Sequence, residues 1–293
     1  MLRNRNKMYC LAMTIAALGL SVASLARAED TLKLDSPPLQ APSESSKAFM
    51  LADSDKSWDD FTDGWRVKSR PSMWFAGLKG TVGKGDRKIN VDASFADLFD
   101  KLDFGAGMDV EVGKGKWSFL FNGLWERFEA DGSTPRGRIS ANAKMDFAIV
   151  DAAMAYRFLD ISLANTGDMN DRFVMDALGG ARWTYLSTDI KLKGGPLGGI
   201  SKNGSVYWVD PYVGLRATYY MNKNLDVSAM GTVGGFDVGS KLAWSAAASV
   251  EYRFTQKIGA FVGYKILSYD YDLRGFVWDV KMHGPIAGLT IRW

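Results

Sequence analysis

The chain has 293 residues and a formal net charge of +3, from 36 basic and 33 acidic side chains, with 47% hydrophobic residues, 13% aromatic residues and 31 glycines. The basic excess comes from Arg3, Arg5, Lys7 and Arg27; without them the balance is 32 to 33, which excludes a nucleic-acid partner held by charge. Cys10, the only cysteine, sits in the same N-terminal stretch, so the rest of the chain has no disulfide and no thiol chemistry.

Arg3, Arg5 and Lys7 precede an apolar run from Leu11 to Leu25, and Ala26-Arg27-Ala28 supplies a small-x-small pattern ahead of Glu29 and Asp30. Residues 1–28 read as a secretory signal peptide cleaved after Ala28, because the apolar run is too short and wrongly flanked for a stop-transfer helix. Residues 29–71 are polar, with Asp35-Ser-Pro-Pro38 and Pro42-Ser-Glu-Ser-Ser46, and read as a flexible periplasmic segment. Trp58, Phe61 and Trp65 would allow it one short amphipathic helix. No later run of about 18 uncharged apolar residues exists, so helical spans are excluded. Membrane residence then requires a closed sheet, since an open edge in lipid leaves backbone groups unpaired.

Residues 72–293 read as one domain of alternating segments separated by turns. After a first segment at 74–83 comes a long loop in which Ser94-Phe-Ala-Asp97 matches a capping box. Phe95, Leu98 and Phe99 recur there at helical spacing, which predicts a short helix folded over the barrel mouth, with the outer-leaflet interface as the alternative. Next, Leu102, Phe104, Ala106, Met108, Val110 and Val112 face one way and Asp103, Gly105, Gly107, Asp109 and Glu111 the other. The tight Gly113–Lys116 turn leads into Trp117, Phe119, Phe121 and Trp125 outward, with Ser118, Asn122 and Glu126 inward.

Further strands are expected near 140–158, 172–188, 206–221, 225–235, 242–254, 258–266 and 277–293. The phase slips between Ile149 and Val150 and again near His283, each in the manner of a β-bulge. Gly113–Lys116, Asn222–Asn224 and Thr255–Lys257 are expected as short periplasmic turns, with the connection 159–171 on the same side. The last strand sets Pro285, Ala287, Leu289, Ile291 and Trp293 on one face and Gly284, Ile286, Gly288, Thr290 and Arg292 on the other. That is an apolar lipid face ending in an aromatic, opposite a lumen face free to carry Gly, Thr and Arg. The fold class is therefore an all-β, antiparallel, up-and-down transmembrane barrel of about ten strands, with eight as the alternative.

The expected lumen carries both signs of charge: Asp103, Asp109, Glu111, Glu126, Lys144, Asp146, Asp176, Arg182, Asp210, Arg216, Asp226, Glu251, Arg253, Lys265 and Arg292. Asp176 with Arg182, and Asp210 with Arg216, are spaced too far apart to pair along one strand and must pair across strands. Such a set reads as a polar conduit or as a salt-bridge network filling a narrow barrel. Near-neutral balance and about ten strands favour the mostly occluded lumen. Catalysis is not expected, because His283 is the only histidine and no His-x-Ser or Asp-x-His pair accompanies it. Asp279, Ser240 and Ser268 are its nearest candidate partners. No cofactor or transition-metal site is expected, and Asp92, Asp97 and Asp100 offer at most an unspecific calcium site.

Trp74-Phe-Ala-Gly-Leu-Lys-Gly80, Ser94-Phe-Ala-Asp-Leu-Phe-Asp-Lys-Leu-Asp-Phe-Gly105, Trp208-Val-Asp-Pro-Tyr-Val-Gly-Leu-Arg216, Gly234-Gly-Phe-Asp-Val-Gly-Ser240 and Gly284-Pro285 resemble the OmpA-like and opacity-like superfamily of small Gram-negative outer-membrane barrels. Leu289, Ile291 and Trp293 resemble that group's C-terminal membrane-insertion signal. The resemblance implies localisation in the outer membrane. It also implies contact with outer-membrane lipid and lipopolysaccharide, and with barrel-assembly machinery during insertion. No second domain, such as a peptidoglycan-binding module, is expected after the barrel. Activity is left open: a structural or surface-exposed role is expected first, then a small diffusion porin, then a lipid-modifying barrel enzyme.

Overall fold

The computed structural model describes residues 64–84, 87–99, 101–133, 140–163, 171–193, 200–273 and 275–293. The signal peptide and residues 29–63 of the expected periplasmic segment lie outside them. In chain order the elements are β1 (Trp65–Trp74), β2 (Gly77–Lys84), β3 (Arg87–Ala93), α1 (Phe95–Phe99), β4 (Leu102–Lys114), β5 (Trp117–Ser133), β6 (Ser140–Ser162), β7 (Arg172–Lys193), β8 (Ile200–Tyr220), β9 (Leu225–Gly235), β10 (Leu242–Arg253), β11 (Ile258–Leu273) and β12 (Phe276–Arg292). β1 and β4 to β12 pair in that order, all antiparallel, and β1 meets β12 to close a ten-stranded barrel. Trp293 secures the seam, its backbone N–H donating to the Val67 carbonyl (3.0 Å) and its indole N–H to the Ser69 hydroxyl (3.2 Å).

The strand number agrees with the sequence, but one stave differs. The barrel begins at Trp65, so the boundary placed at residue 72 falls inside β1. The segment expected at 74–83 is instead β2, which extends the line of β1 along the upper part of β12 and forms a hairpin with β3. β12 is thus shared: Arg292 to Ile286 pair with Lys68 to Trp74, and His283 to Phe276 pair with Gly77 to Lys84. The Phe75 N–H donates to the Pro285 carbonyl (2.8 Å) at the handover. A Cβ at Gly284 would stand 1.9 Å from the Phe75 carbonyl oxygen, so only glycine lets the two backbones pass.

β1 leaves β4 after the Ser72–Gly107 pair, which opens a seam in the wall between β3 and β4. α1 fills it. Ser94 and Asp97 cap the helix reciprocally: the Asp97 N–H donates to the Ser94 hydroxyl (3.3 Å) and the Ser94 N–H to the Asp97 carboxylate (2.9 Å). The Ser94 hydroxyl also donates to the Asp97 carboxylate (2.5 Å), and this bond above all, with that from the Ser94 N–H, holds the Asp97 carboxyl below its usual range. Phe95 packs edge-on against Phe75 (5.2 Å), and Leu98 and Phe99 cover Trp74, Leu102 and Glu126. The helix therefore plugs the side of the barrel rather than spanning its mouth.

The expected bulges at Ile149/Val150 and His283 are absent. The register shifts lie between Leu102 and Phe104 and between Arg157 and Leu159. What changes at Ile149 is polarity, not phase. Along β6, Met145, Phe147 and Ile149 point inward while Lys144 and Asp146 point outward; beyond them Asp151 and Arg157 point inward while Val150, Met154 and Phe158 point outward. β12 behaves the same way, with Val280 and Met282 inside against Lys281 and His283 outside, then Thr290 and Arg292 inside against Leu289 and Trp293 outside. An unbroken period of two across such an inversion looks like a one-residue slip.

Candidate functional site

The lumen has three levels, counted from the end that carries the long connections. The upper level is apolar and tightly filled. Phe147, Ile149, Leu267 and Tyr269 are each 1% exposed. Trp208 stacks on Tyr271 (4.2 Å) and meets Tyr269 edge-on (5.6 Å), and Trp278 lies against Phe147. The Tyr269 hydroxyl is satisfied by Thr184 (2.9 Å). Leu78 and Val91 of the β2–β3 hairpin join the same core, whereas the hairpin's other face carries Lys79–Asp92 (2.7 Å) and Thr81–Asn90 (2.9 Å) to the outside.

The middle level mixes charge with neutral donors. The Arg182 guanidinium grips Asp151 through two bonds (2.7 and 3.1 Å) and lies over the Tyr212 ring (5.5 Å). Asp210 accepts the Ser240 N–H (2.6 Å), the Ser240 hydroxyl (2.9 Å) and the Trp208 indole N–H (3.0 Å), which ties the β9–β10 turn to β8. Asp109 accepts from Asn122. Lys265 lies over the Trp74 ring (5.0 Å), while Glu126, 5% exposed, is buried beneath α1.

The lower level, toward the short turns, is a network of ions. Glu111 takes Arg216 through two bonds (2.8 and 2.9 Å) and Lys68 (3.2 Å). Asp176 is held by Arg157 (2.9 Å) on one side and Arg216 (2.9 Å) on the other. Asp226 pairs with Arg253 (2.6 Å), and Glu251 pairs with Arg292 and accepts the Thr290 hydroxyl (2.9 Å). Two cavities, about 160 Å³ and about 50 Å³, lie at the middle and lower levels and share Lys68, Arg70, Glu111, Arg216 and Ser228 in their walls.

Of the lumen residues expected from sequence, Asp109, Glu111, Glu126, Asp176, Arg182, Asp210, Arg216, Asp226, Glu251, Arg253, Lys265 and Arg292 line this interior or are buried in it. Lys144 and Asp146 do not: they face outward and pair with Glu129 (2.6 Å) and Arg127 (2.7 Å) of β5. Asp103 is exposed at the bulge. Asp176 does pair across strands with Arg216, but Arg182 turns to Asp151 rather than to Asp210, its neighbour on the other side. Sequence reasoning missed Arg66, Lys68 and Arg70, because β1 was placed outside the barrel, and Asp151 and Arg157, because of the false slip. The signal for the first three was present: they alternate with Trp65, Val67 and Ser69.

His283 is exposed on the outer wall, where its Nδ1 lies 2.7 Å from the Tyr264 hydroxyl. Ser240, once its candidate partner, is fully buried against Asp210. Among the described residues no group of three or more His, Cys, Asp or Glu is arranged to hold a metal ion. Of the carboxylates named for calcium, Asp92 pairs with Lys79, Asp97 caps α1, and Asp100 lies outside the described residues.

No protein-family model matches the sequence, and no curated protein resembles it in sequence. Solved structures do resemble its fold. The outer membrane protease OmpT of Escherichia coli is 12% identical, with 79% of this chain and 99% of that one covered, at a TM-score of 0.45. The translocator domain of the autotransporter NalP from Neisseria meningitidis is 11% identical over 85% and 96%, at 0.38. The Ail protein of Yersinia pestis, in complex with sucrose octasulfate, is 13% identical over 79% and 100%, at 0.35. At these values the likeness concerns barrel architecture and nothing finer.

Proposed function

We propose that this protein is an integral outer-membrane barrel with a non-conducting lumen, serving a structural or surface-exposed role in the cell envelope. What supports a closed lumen is the packed apolar layer above the cavities, where Phe147, Leu267 and Tyr269 are each 1% exposed and Trp278 is 4% exposed. Residence in lipid rests on the outer wall. Phe119, Val262 and Leu289 are 57%, 60% and 50% exposed there, on strands whose backbone is paired all round. In this orientation the short turns, the start of β1 at Trp65 and the end of β12 at Trp293 face the periplasm, Leu289, Ile291 and Trp293 present the insertion signal, and the seam plugged by α1 lies toward the cell surface. Refolded protein in planar bilayers is expected to show no stepwise conductance; steady single-channel steps would overturn the reading. The role we propose is also non-catalytic: lipid A from cells carrying His283→Ala is expected to match that of the parent by mass spectrometry.

A further inference from the structure

We propose that the larger lumen cavity binds a small neutral aromatic molecule of the phenol class, and that the molecule reaches it from the outer leaflet through the seam that α1 plugs. The site rests on the proposed residence in the outer membrane and is independent of whether the lumen conducts.

The size and walls of the cavity set the class of ligand. Its volume is about 160 Å³, and an apolar cavity of about 150 Å³ holds one benzene ring. Leu120, Leu178, Met230, Phe261 and Ile286 give it an apolar side, while Asp109, Tyr212 and Lys265 stand elsewhere on its wall. Acids and bases both border it, so it calls for no added ion. A single ring meets the apolar side and one hydroxyl group meets the polar one.

Neither end of the lumen favours entry by such a molecule. Above lies the packed layer of Phe147, Leu267 and Tyr269, and below lies the network that joins Glu111, Asp176, Arg157 and Arg216. The side wall is weaker. Arg70 and Asp109 line the cavity and face each other across β1 and β4; two residues further up, at Ser72–Gly107, the pairing of those strands ends. Beyond that point α1 takes the place of a backbone ladder, and none of its residues is buried. Phe95 rests edge-on against Phe75 (5.2 Å), and Phe99 is 51% exposed. An element with so little buried apolar surface opens more readily than the paired strands around it.

Behind α1 a pocket of about 10 Å³ lies against Trp74, and Lys265 of the larger cavity lies over the ring of the same Trp74 (5.0 Å). Trp74 therefore separates the small pocket from the cavity. On the outside, Phe104 and Trp125 (5.3 Å) lie beside the seam on β4 and β5, both exposed, with the Arg127–Asp146 pair above them. This aromatic edge sets the seam at the boundary between hydrocarbon and water, where amphipathic rings collect.

Cys10 is the chain's only cysteine, so in a Cys10→Ser background Ala153→Cys places a single thiol on the cavity wall. The refolded chain is inserted into liposomes, and modification of that thiol by neutral methyl methanethiosulfonate and by its anionic sulfonatoethyl analogue is followed by mass spectrometry. The neutral reagent is expected to react, the anionic one at least about tenfold more slowly, and added phenol to protect the thiol saturably. A thiol from Asn90→Cys, on the outer face of the β2–β3 hairpin, is expected to show no protection. Joint Phe95→Ala and Phe99→Ala, which trims the plug, is expected to speed the neutral reagent at least about tenfold, and Phe147→Ala in the upper core to leave its rate unchanged.

Heat-dependent gel migration checks that each variant is a folded barrel. Ser94→Ala, which removes the cap of α1, replaces the trimmed plug if that variant fails, and Ser249→Cys replaces Ala153→Cys. Flotation with the liposomes reports membrane residence separately, so failure of that reading and failure of the site are distinguishable. Absence of phenol protection, or an unreactive cavity thiol even with the plug trimmed, overturns the proposal. So do equal rates for the two reagents, and acceleration by Phe147→Ala equal to that of the trimmed plug.

Discussion

The upper and lower parts of this barrel use the same strands with opposite polarity. Below the change at Ile149 on β6 and His283 on β12, apolar side chains point out and ions point in; above it, ions point out and aromatic side chains point in. The cause is what lies outside the wall. Hydrocarbon rejects charge, so the lower wall must send its charges inward and pair them there. Water accepts charge, so the upper wall carries Arg127–Asp146 and Glu129–Lys144 outside. Its interior is then free to be an ordinary hydrophobic core. One chain thus holds a membrane-protein interior and a soluble-protein interior end to end.

Several substitutions break or sharpen this contrast. The largest effect is expected at the joint, where Gly284→Val drives a side chain into the Phe75 carbonyl. The β1–β2 handover then fails, and no heat-modifiable barrel forms. In the upper core, Phe147→Ala is expected to cost about 3–5 kcal/mol by denaturant unfolding, independent of salt, because it leaves a dry cavity.

In the lower network, Asp176→Asn removes the carboxylate that Arg157 and Arg216 share and is expected to cost about 3 kcal/mol, at the low end for a buried pair because cavities lie beside it. Its cost should shrink as salt rises; equal salt dependence for Phe147→Ala and Asp176→Asn would refute the contrast. Outside the upper wall, Arg127→Ala removes a solvent-screened pair and should cost under about 1 kcal/mol.

The smallest effect concerns pH. The folded-state carboxyl of Asp97 is lowered, so its contribution to capping α1 is present above the ordinary carboxylate range and is lost as pH falls through the lowered value. Tryptophan emission from Trp74, which α1 covers, should shift in that acid window. The shift should disappear in Asp97→Asn, which removes the titrating group.

The alternation of β4, β5, β10 and β11 was legible because hydrocarbon outside and charge inside mark every second residue. The Ser94–Asp97 cap was legible because it is made by residues three apart. β1 was hidden, although Arg66, Lys68 and Arg70 alternate, because the polar, Pro- and Ser-containing stretch before it suggested a linker and Trp65 was grouped with Trp58 and Phe61 in a short helix. Asp151 and Arg157 were hidden for another reason: the polarity inversion mimics a bulge, which moved charges to the wrong face.

The sequence by itself determined a closed antiparallel barrel of about ten strands, with eight left as the alternative, and most of the charges inside it, since strand periodicity is local and hydrocarbon imposes it on every stave. Only the tertiary structure decided which acid each arginine holds, where β1 begins, that β12 is shared between β1 and β2, and that the upper lumen is packed with aromatic and aliphatic side chains. Those choices depend on which residues lie opposite one another around the ring. Cross-strand register is set by closure of the whole sheet and not by any single strand.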